Sequence, residues 1–216
     1  MGYVLYGDRR SGSAPVEMAL AEIGAPVELR PVPLEREAQL AVEYRRLNPM
    51  GRVPTLLLPD GTVLTESLAV LVTLADRHPE AGLLPPSGET GRAVALRWMA
   101  LAAGEIYPCV TRSDYPERFS ADPAHAPAIR ARAVEMAREI WRIVEAGAAP
   151  APFVLGARFS VADLYLATLS RWMGNEAWMP GHCPRIEALA AAVAARPKAG
   201  PVWRRHFPVA TGDAEG

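Results

Sequence analysis

The stretch from Asn48 to Ser67, Asn-Pro-Met-Gly-Arg-Val-Pro-Thr-Leu-Leu-Leu-Pro-Asp-Gly-Thr-Val-Leu-Thr-Glu-Ser, decides the fold class. Two short apolar runs flank Asp60-Gly61, and this pair favours the tight turn of a hairpin. Pro54 opens the first run, and a proline lacks the N–H that a strand ladder needs. Glu66-Ser67 stands where an amphipathic helix begins. The stretch therefore predicts strand, turn, strand and helix, in that order.

The same residues carry groups that suit a small peptide with a free amine and a carboxylate. If the Val53–Pro54 bond is cis, the turn exposes the N–H and C=O of Val53, which can then pair with an extended peptide as a sheet edge does. The N–H groups of the helix start and the Ser67 hydroxyl can hold a carboxylate. Glu66 is then placed to meet an ammonium. The alternative is a proline turn and a helix cap that bind no ligand.

The sequence around this stretch extends the hairpin into a βαβαββα order. A β-prone run at 3–6 precedes a polar loop, a helix at 14–23, a strand at 27–32 and a helix-favouring segment at 35–47. This order indicates an α/β thioredoxin-like domain over residues 1–78. Prolines and glycines concentrate in 79–91, which reads as a linker.

Beyond the linker, strand patterns nearly vanish, and residues 92–216 are predicted to form an all-α domain. Helices are expected at about 92–111, 127–146, 160–173 and 184–195. Ser160-Val-Ala-Asp163 has the pattern of a capping box, with Asp in place of the usual Glu. We interpret it as a folding element, and not as a catalytic one.

The chain resembles the glutathione transferase family over nearly its whole length. The residues that match the pattern of that family are Asn48, Pro49, Gly51, Val53, Pro54, Glu66 and Ser67. The resemblance implies a thioredoxin-like domain, an all-helical domain that contributes the pocket for a small hydrophobic electrophile, and a homodimer with a role in detoxification. It implies glutathione as co-substrate, bound by Val53, Pro54, Glu66 and Ser67. Arg52 either holds the glycyl carboxylate or is a surface charge.

Glutathione attacks as its thiolate, whereas a free thiol has a pKa of ~8.5, so the protein must favour the anion. The family places a Tyr, Ser or Cys after the first strand for this purpose, and Ser11 is the predicted donor here. Ser13 is an alternative, but it directly precedes Ala14-Pro15 and is expected to cap the first helix. A backbone N–H or one of the arginines Arg9 and Arg10 is a further alternative.

The first loop argues against some reactions of the family and leaves several others open. Residues 7–15 contain no cysteine, which argues against disulfide exchange. Conjugation, dehalogenation and peroxide reduction all use the activated sulfur. The isomerases of this family carry Ser-Ser-x-Cys in the first loop, and Arg10-Ser11-Gly12-Ser13 does not match that run. A non-enzymatic member that binds ligands or partners is the alternative function.

The composition and the charge of the chain argue against several other classes of protein. The chain is 50% apolar and 22% charged with a net charge of −1, so nothing favours binding to nucleic acid or to an anionic membrane. No apolar run approaches the ~20 residues of a membrane span, and no secretory signal is evident. Cys109 and Cys183 lack metal-ligand spacing, so we expect reduced thiols in a cytoplasmic protein without a metal site.

Overall fold

A computed structural model describes residues 2–208 of the chain. The chain divides into two compact units, Met1–Leu74 with Val193–Gly216, and Ala75–Ala192. The segment that follows residue 192 thus groups with the N-terminal residues. The tail after Phe207, which the sequence predicts to fray, lies outside the described residues except for Pro208.

The first unit is built on a mixed sheet of four strands in the order β2-β1-β3-β4. Strand β1 runs parallel to β2 and antiparallel to β3, and β3 pairs antiparallel with β4. The strands are β1 Tyr3–Gly7, β2 Val27–Pro31, β3 Thr55–Leu57 and β4 Val63–Thr65. This arrangement confirms the predicted thioredoxin-like domain.

Three α-helices follow strands of this sheet: α1 Ala14–Ile23, α2 Val42–Arg45 and α3 Ser67–Arg77. The helix expected over 35–47 is reduced to α2 and two 3₁₀ turns, Leu34–Arg36 and Ala38–Leu40. Glu37 lies between those turns with a left-handed φ of 53°, which interrupts a helix. In addition, the Asp8 carboxylate accepts the Leu34 N–H at 2.8 Å and fixes the first turn.

The second unit is helical, as predicted. Its helices are α4 Thr90–Leu101, α5 Tyr107–Asp114, α6 Ala126–Ala148, α7 Val161–Leu169, α8 Asn175–His182 and α9 Pro184–Ala194. The last helix of the described chain, α10 Ala199–His206, belongs with the first unit. The sequence did not predict α8 or α10. Pro180 lies inside α8, and prolines argue against a helix interior.

The capping box at the start of α7 is present. The Asp163 carboxylate accepts N–H groups from Ser160 and from Val154, each at 2.7 Å, and the Ser160 hydroxyl donates to it at 3.1 Å. Every residue of α7 is buried, and Trp98 and Trp141 are among the largest fully buried side chains. Asp163 therefore serves the core of the helical unit, as the sequence indicated.

Between residues 2 and 208, one helical segment, Thr90–Asp114, is long and apolar enough to cross a membrane by length and composition alone. It joins α4 to α5 through a π-helical turn at Ala102–Ile106. This finding differs from the sequence analysis, which predicts no apolar run of membrane-spanning length. Trp98, Met99, Ile106 and Cys109 on this segment are buried inside the protein, and the core helix of a globular protein passes the same test.

Candidate functional site

The register of the sheet brings three loops to one edge. Tyr6 of β1 pairs with Thr55 of β3, and Thr55 pairs with Thr65 of β4. The residues just before Thr55, just after Thr65 and just after β1 therefore lie at the same end of the sheet. The Ser67 hydroxyl donates to the Gly12 C=O at 3.1 Å and ties two of these loops together. Val53-Pro54, Glu66-Ser67 and the loop at 8–13 thus form one candidate site.

The Val53–Pro54 peptide bond is cis, as the interpretation of the sequence required. Among residues 2–208, no group hydrogen bonds to the N–H or the C=O of Val53. The preceding carbonyl, that of Arg52, accepts from the Tyr44 hydroxyl at 2.6 Å and from Asn48 Nδ2 at 2.8 Å. The backbone is therefore fixed next to Val53, while the polar groups of Val53 itself remain available for a ligand.

Gly51 shows why this turn needs its glycine. Its φ is +60°, and a Cβ at this position would lie 3.1 Å from the Gln39 C=O. A side chain would thus be strained by conformation and crowded by the backbone. Asn48 stabilises the same turn from inside, because its Oδ1 accepts the Met50 N–H at 3.1 Å. These contacts give the Asn-Pro-x-Gly pattern a structural role beside the site.

Glu66 and Ser67 present different groups at the start of α3. Glu66 is exposed and has a left-handed φ of 63°, a conformation that non-glycine residues rarely adopt and that clusters at functional sites. Ser67 is buried, and its hydroxyl proton is directed to the Gly12 C=O. Within residues 2–208, neither backbone N–H of the pair donates to the protein. The exposed carboxylate attracts a cation, and the free N–H groups attract an anion. Together they could hold the ammonium and the carboxylate of an amino acid.

The Ser11 hydroxyl lies inside a network of the first loop. It donates to the Asp8 C=O at 2.8 Å, accepts the N–H groups of Asp8 at 3.3 Å and of Ser13 at 3.2 Å, and lies 2.9 Å from the Ser13 hydroxyl. The Ser13 hydroxyl donates to the same Asp8 carbonyl at 3.1 Å. The two buried serines therefore share one acceptor.

The expected side-chain cap by Ser13 is wrong. Ser13 stands at the cap position of α1, but its φ and ψ of −79° and −20° are already helical and its side chain makes no cap hydrogen bond. Its hydroxyl packs instead against the end of β1. A Cβ on Gly7 would lie 2.2 Å from the Ser13 hydroxyl oxygen, so this close approach requires glycine at position 7.

The basic side chains near the site differ in their engagement. Arg52 is exposed, and its guanidinium has no partner among the described residues. Arg9 Nε donates to the Arg205 C=O at 3.0 Å, and the Arg10 guanidinium lies over the Phe207 ring at 5.4 Å from its centroid. Tyr6 accepts from Arg30 at 2.7 Å, in keeping with its interpretation as a sheet residue. A ligand can thus engage Arg52 without breaking a contact to any of residues 2–208.

Sequence reasoning missed two acids on α1 and their partners. Glu22 accepts from Arg196 and from the Ala199 N–H, and Glu17 accepts from His206 Nε2 at 2.9 Å and from Arg205. Burial raises the pKa of Glu17, but the hydrogen bonds from His206 and Arg205 outweigh it and lower that pKa below its usual range. The available signal was the presence of two acids on an otherwise apolar helix, matched by a basic run near the end of the chain.

A cavity of about 370 Å³ lies in the same unit and is lined by Asp8, Arg9 and Ser13 of the loop at 8–13, together with Glu17 and His206 among others. Neither Val53-Pro54 nor Glu66-Ser67 borders it. Within residues 2–208, no cluster of three or more His, Cys, Asp or Glu side chains is placed to hold a metal ion. The groups of the candidate site that carry hydrogen-bonding capacity are those of Val53, Glu66-Ser67 and the loop at 8–13.

These features define a thioredoxin-like protein with a candidate site at one edge of its sheet. Residues 13–77 match the family model of the glutathione S-transferase N-terminal domain. Residues 127–207 match the family model of the glutathione S-transferase C-terminal domain. The chain therefore belongs to the glutathione S-transferase family.

Relatives and solved structures agree with this assignment. The uncharacterized GST-like protein YncG of Escherichia coli K12 is 28% identical over 94% of this chain and 97% of its own. The glutathione S-transferase GstA of Escherichia coli O157:H7 is 35% identical over 60% of this chain and 61% of its own. A glutathione transferase homologue from Sulfitobacter, solved with bound glutathione, superposes with a TM-score of 0.87 at 28% identity, covering 93% of this chain and 96% of that one.

Proposed function

We propose that this chain is a glutathione transferase that binds glutathione at the sheet edge and directs its thiolate at a small hydrophobic electrophile. The observation that carries the proposal is the convergence of three peptide-binding features on one edge: the unpaired backbone of Val53, the Glu66-Ser67 pair and the Ser11 loop. The Sulfitobacter homologue, which has the same fold, holds glutathione.

Each part of glutathione has a complementary group. The Glu66 carboxylate binds the ammonium of the γ-glutamyl residue, and the free N–H groups at the start of α3 bind its carboxylate, a position that the helix dipole favours. The N–H and C=O of Val53 pair with the cysteinyl backbone, with Pro54 closing the turn. Arg52 binds the glycyl carboxylate. The Ser67 hydroxyl already donates to Gly12, so the backbone N–H is its principal contribution.

The shared carbonyl of the first loop supports Ser11 as the thiolate donor. The Ser11 proton has to turn from the Asp8 C=O toward the sulfur, and the Ser13 hydroxyl can then satisfy that carbonyl alone, at 3.1 Å. Turning the proton leaves no acceptor unpaired, so the cost of releasing it is small. Each unit by which the thiol pKa falls needs about 1.4 kcal/mol of preference for the anion, which one hydrogen bond to a charged atom supplies.

The proposal also covers the reaction with the electrophile and the oligomeric state of the protein. Conjugation, dehalogenation and peroxide reduction all begin with attack by the same thiolate, and the helical domain is proposed to supply the apolar pocket. A homodimer is proposed from the family alone. A binding protein without turnover is the competing function, since the groups that hold glutathione do not by themselves require an electrophile.

Titration calorimetry with glutathione tests the binding step. We expect binding at or below millimolar concentration, and much weaker binding of N-acetylglutathione, which lacks the ammonium that Glu66 would hold. The absence of any binding would overturn the proposal. Turnover is then measured on a panel of electrophiles, peroxides and a maleyl isomerase substrate. Binding with an unshifted thiol pKa and no turnover across the panel would favour the non-enzymatic function.

A further inference from the structure

The outer side of the Ser11 loop is held by the C-terminal end of the described chain. Arg10 forms the apex of the loop with a left-handed φ of 56°, and its backbone N–H donates to His206 Nδ1 at 3.2 Å. Arg9 Nε donates to the Arg205 C=O, and the Arg10 guanidinium lies over Phe207. We call residues 205–207 the clasp.

The hydrogen bonds of His206 fix its tautomer. A backbone N–H can only donate, so Nδ1 must carry a lone pair toward Arg10. The ring proton of the neutral imidazole is then on Nε2, where it donates to Glu17 Oε2 at 2.9 Å. His206 is 4% exposed, and Arg205 donates to the other oxygen of Glu17. The two ring nitrogens therefore have opposite roles, one as acceptor for the loop and one as donor to α1.

The loop is thus secured from two sides. On its inner side, the Ser11 hydroxyl receives the N–H groups of Asp8 and Ser13. On its outer side, the residue just before Ser11 donates to His206. If His206 Nδ1 is removed as an acceptor, the N–H of the left-handed residue Arg10 loses this hydrogen bond. The loop conformation that orients the Ser11 hydroxyl is then less stable.

We infer that His206 is a positioning residue for the thiolate-stabilising loop: through Nδ1 it holds the Arg10 N–H and thereby sets the orientation of Ser11. This inference rests on the proposed function, because it assigns His206 a part in lowering the pKa of bound glutathione. His206 is not a catalytic residue, since it acts through Arg10, and its two ring nitrogens bond to Arg10 and Glu17.

Two substitutions separate the two nitrogens of His206. In His206→Asn, the amide oxygen can take the place of Nδ1 and accept from Arg10, while the donor to Glu17 is lost. In His206→Gln, the amide nitrogen can take the place of Nε2 and donate to Glu17, while the acceptor for Arg10 is lost. The two variants are a matched pair, and Asn removes more side-chain volume than Gln does.

The pKa of bound glutathione, followed through the ultraviolet absorbance of the thiolate, is the primary readout. We expect His206→Gln to raise that pKa by about one unit, a tenfold loss of thiolate at pH values below it, and His206→Asn to leave it close to wild type. If His206 only fills space, the smaller Asn should be the more damaging change. An unchanged pKa in both variants, or a larger shift in the Asn variant, would overturn the inference.

Hydrogen exchange of the loop amides without glutathione provides an independent readout. The Arg10 N–H should exchange faster in His206→Gln than in wild type, and at the wild-type rate in His206→Asn. If glutathione fails to bind the wild-type protein, the proposed function fails while this exchange result still reports on the clasp. If glutathione binds with a lowered pKa and both variants exchange like wild type, the inference alone fails.

Discussion

Two serines in the first loop look alike in the sequence but have different environments in the structure. The Ser11 hydroxyl is the centre of the loop, since two N–H groups point at it, whereas the Ser13 hydroxyl is a second donor to the Asp8 carbonyl. The residues of the proline turn were predictable because the turn is a local pattern. The failure of Ser13 to cap α1 was not, because its hydroxyl bonds to the Asp8 carbonyl, a contact that no local pattern marks.

The pair Ser11→Ala and Ser13→Ala tests which hydroxyl acts on the sulfur. We expect Ser11→Ala to raise the pKa of bound glutathione by about one unit and to leave glutathione affinity nearly unchanged, because the hydrogen bond to the thiolate is lost but the peptide contacts remain. Ser13→Ala should change that pKa far less. Thiolate absorbance measured across pH gives both values. The reverse ranking would assign the donor to Ser13.

Glu66 combines a proposed ligand contact with an unfavourable backbone conformation. We expect Glu66→Gln to weaken glutathione binding about tenfold, because a charge-assisted hydrogen bond to the ammonium is lost. Glu66→Gly should weaken binding at least as much while leaving the thermal midpoint equal or higher, since glycine adopts a φ of 63° without strain. Calorimetry and thermal unfolding of both variants check this. A Gln variant with wild-type affinity would remove Glu66 from the site.

At the scale of elements, the sequence predicted best those helices and strands whose ends are marked by turn or cap residues. The hairpin and α7 were predictable because Asp60-Gly61 and the Ser160–Asp163 pattern mark them locally. Glu35–Leu47 has helix-favouring residues, but the hydrogen bond from the Leu34 N–H to the Asp8 carboxylate and the left-handed Glu37 replace most of that helix with turns. Helix propensity predicts structure poorly where a side chain that is distant in the sequence hydrogen bonds to a backbone group.

Asp163 makes stability depend on pH. Burial raises its pKa from 3.8 to about 6, against the lowering effect of the hydrogen bonds from Val154 and Ser160. The folded state then binds more protons than the unfolded state between pH 4 and pH 6, so this group's contribution to stability falls as pH rises through that window.

Urea unfolding of wild type and Asp163→Asn across this pH range measures that contribution. At neutral pH the variant should lose about 1–3 kcal/mol, because an amide cannot accept all the donors that the carboxylate serves. The difference in unfolding free energy between the two proteins should change from pH 4 to pH 6, because only the wild type releases this proton. A constant difference would show that Asp163 keeps an ordinary pKa.

At the scale of the whole molecule, α1 is paired with residues that lie far away in the sequence. Glu22 is bonded to Arg196, 174 positions further along, and Glu17 to His206, 189 positions further along. Neither pair follows from periodicity or local spacing, which is why the helix α10 and its contacts were not predicted. Buried acids on an apolar helix call for cationic partners, but one sequence does not reveal which ones.

Glu22→Gln tests how much the distant pairing stabilises the protein. The Glu22 carboxylate is buried and accepts two bonds from Arg196 and one from the Ala199 N–H, so we expect a loss of about 1–3 kcal/mol. Glu28→Gln is the matched control, because Glu28 also pairs with an arginine but is exposed, and its replacement should leave stability unchanged. Urea unfolding followed by tryptophan fluorescence measures both. Equal effects would contradict the assigned role of Glu22.

The position of the clasp along the chain has a consequence for biosynthesis. Arg10 leaves the ribosome early, but its acceptor on His206 is translated 196 residues later. The loop that carries Ser11 therefore spends most of translation without its outer support, and it can reach its final geometry only after the residues of the helical unit have been made.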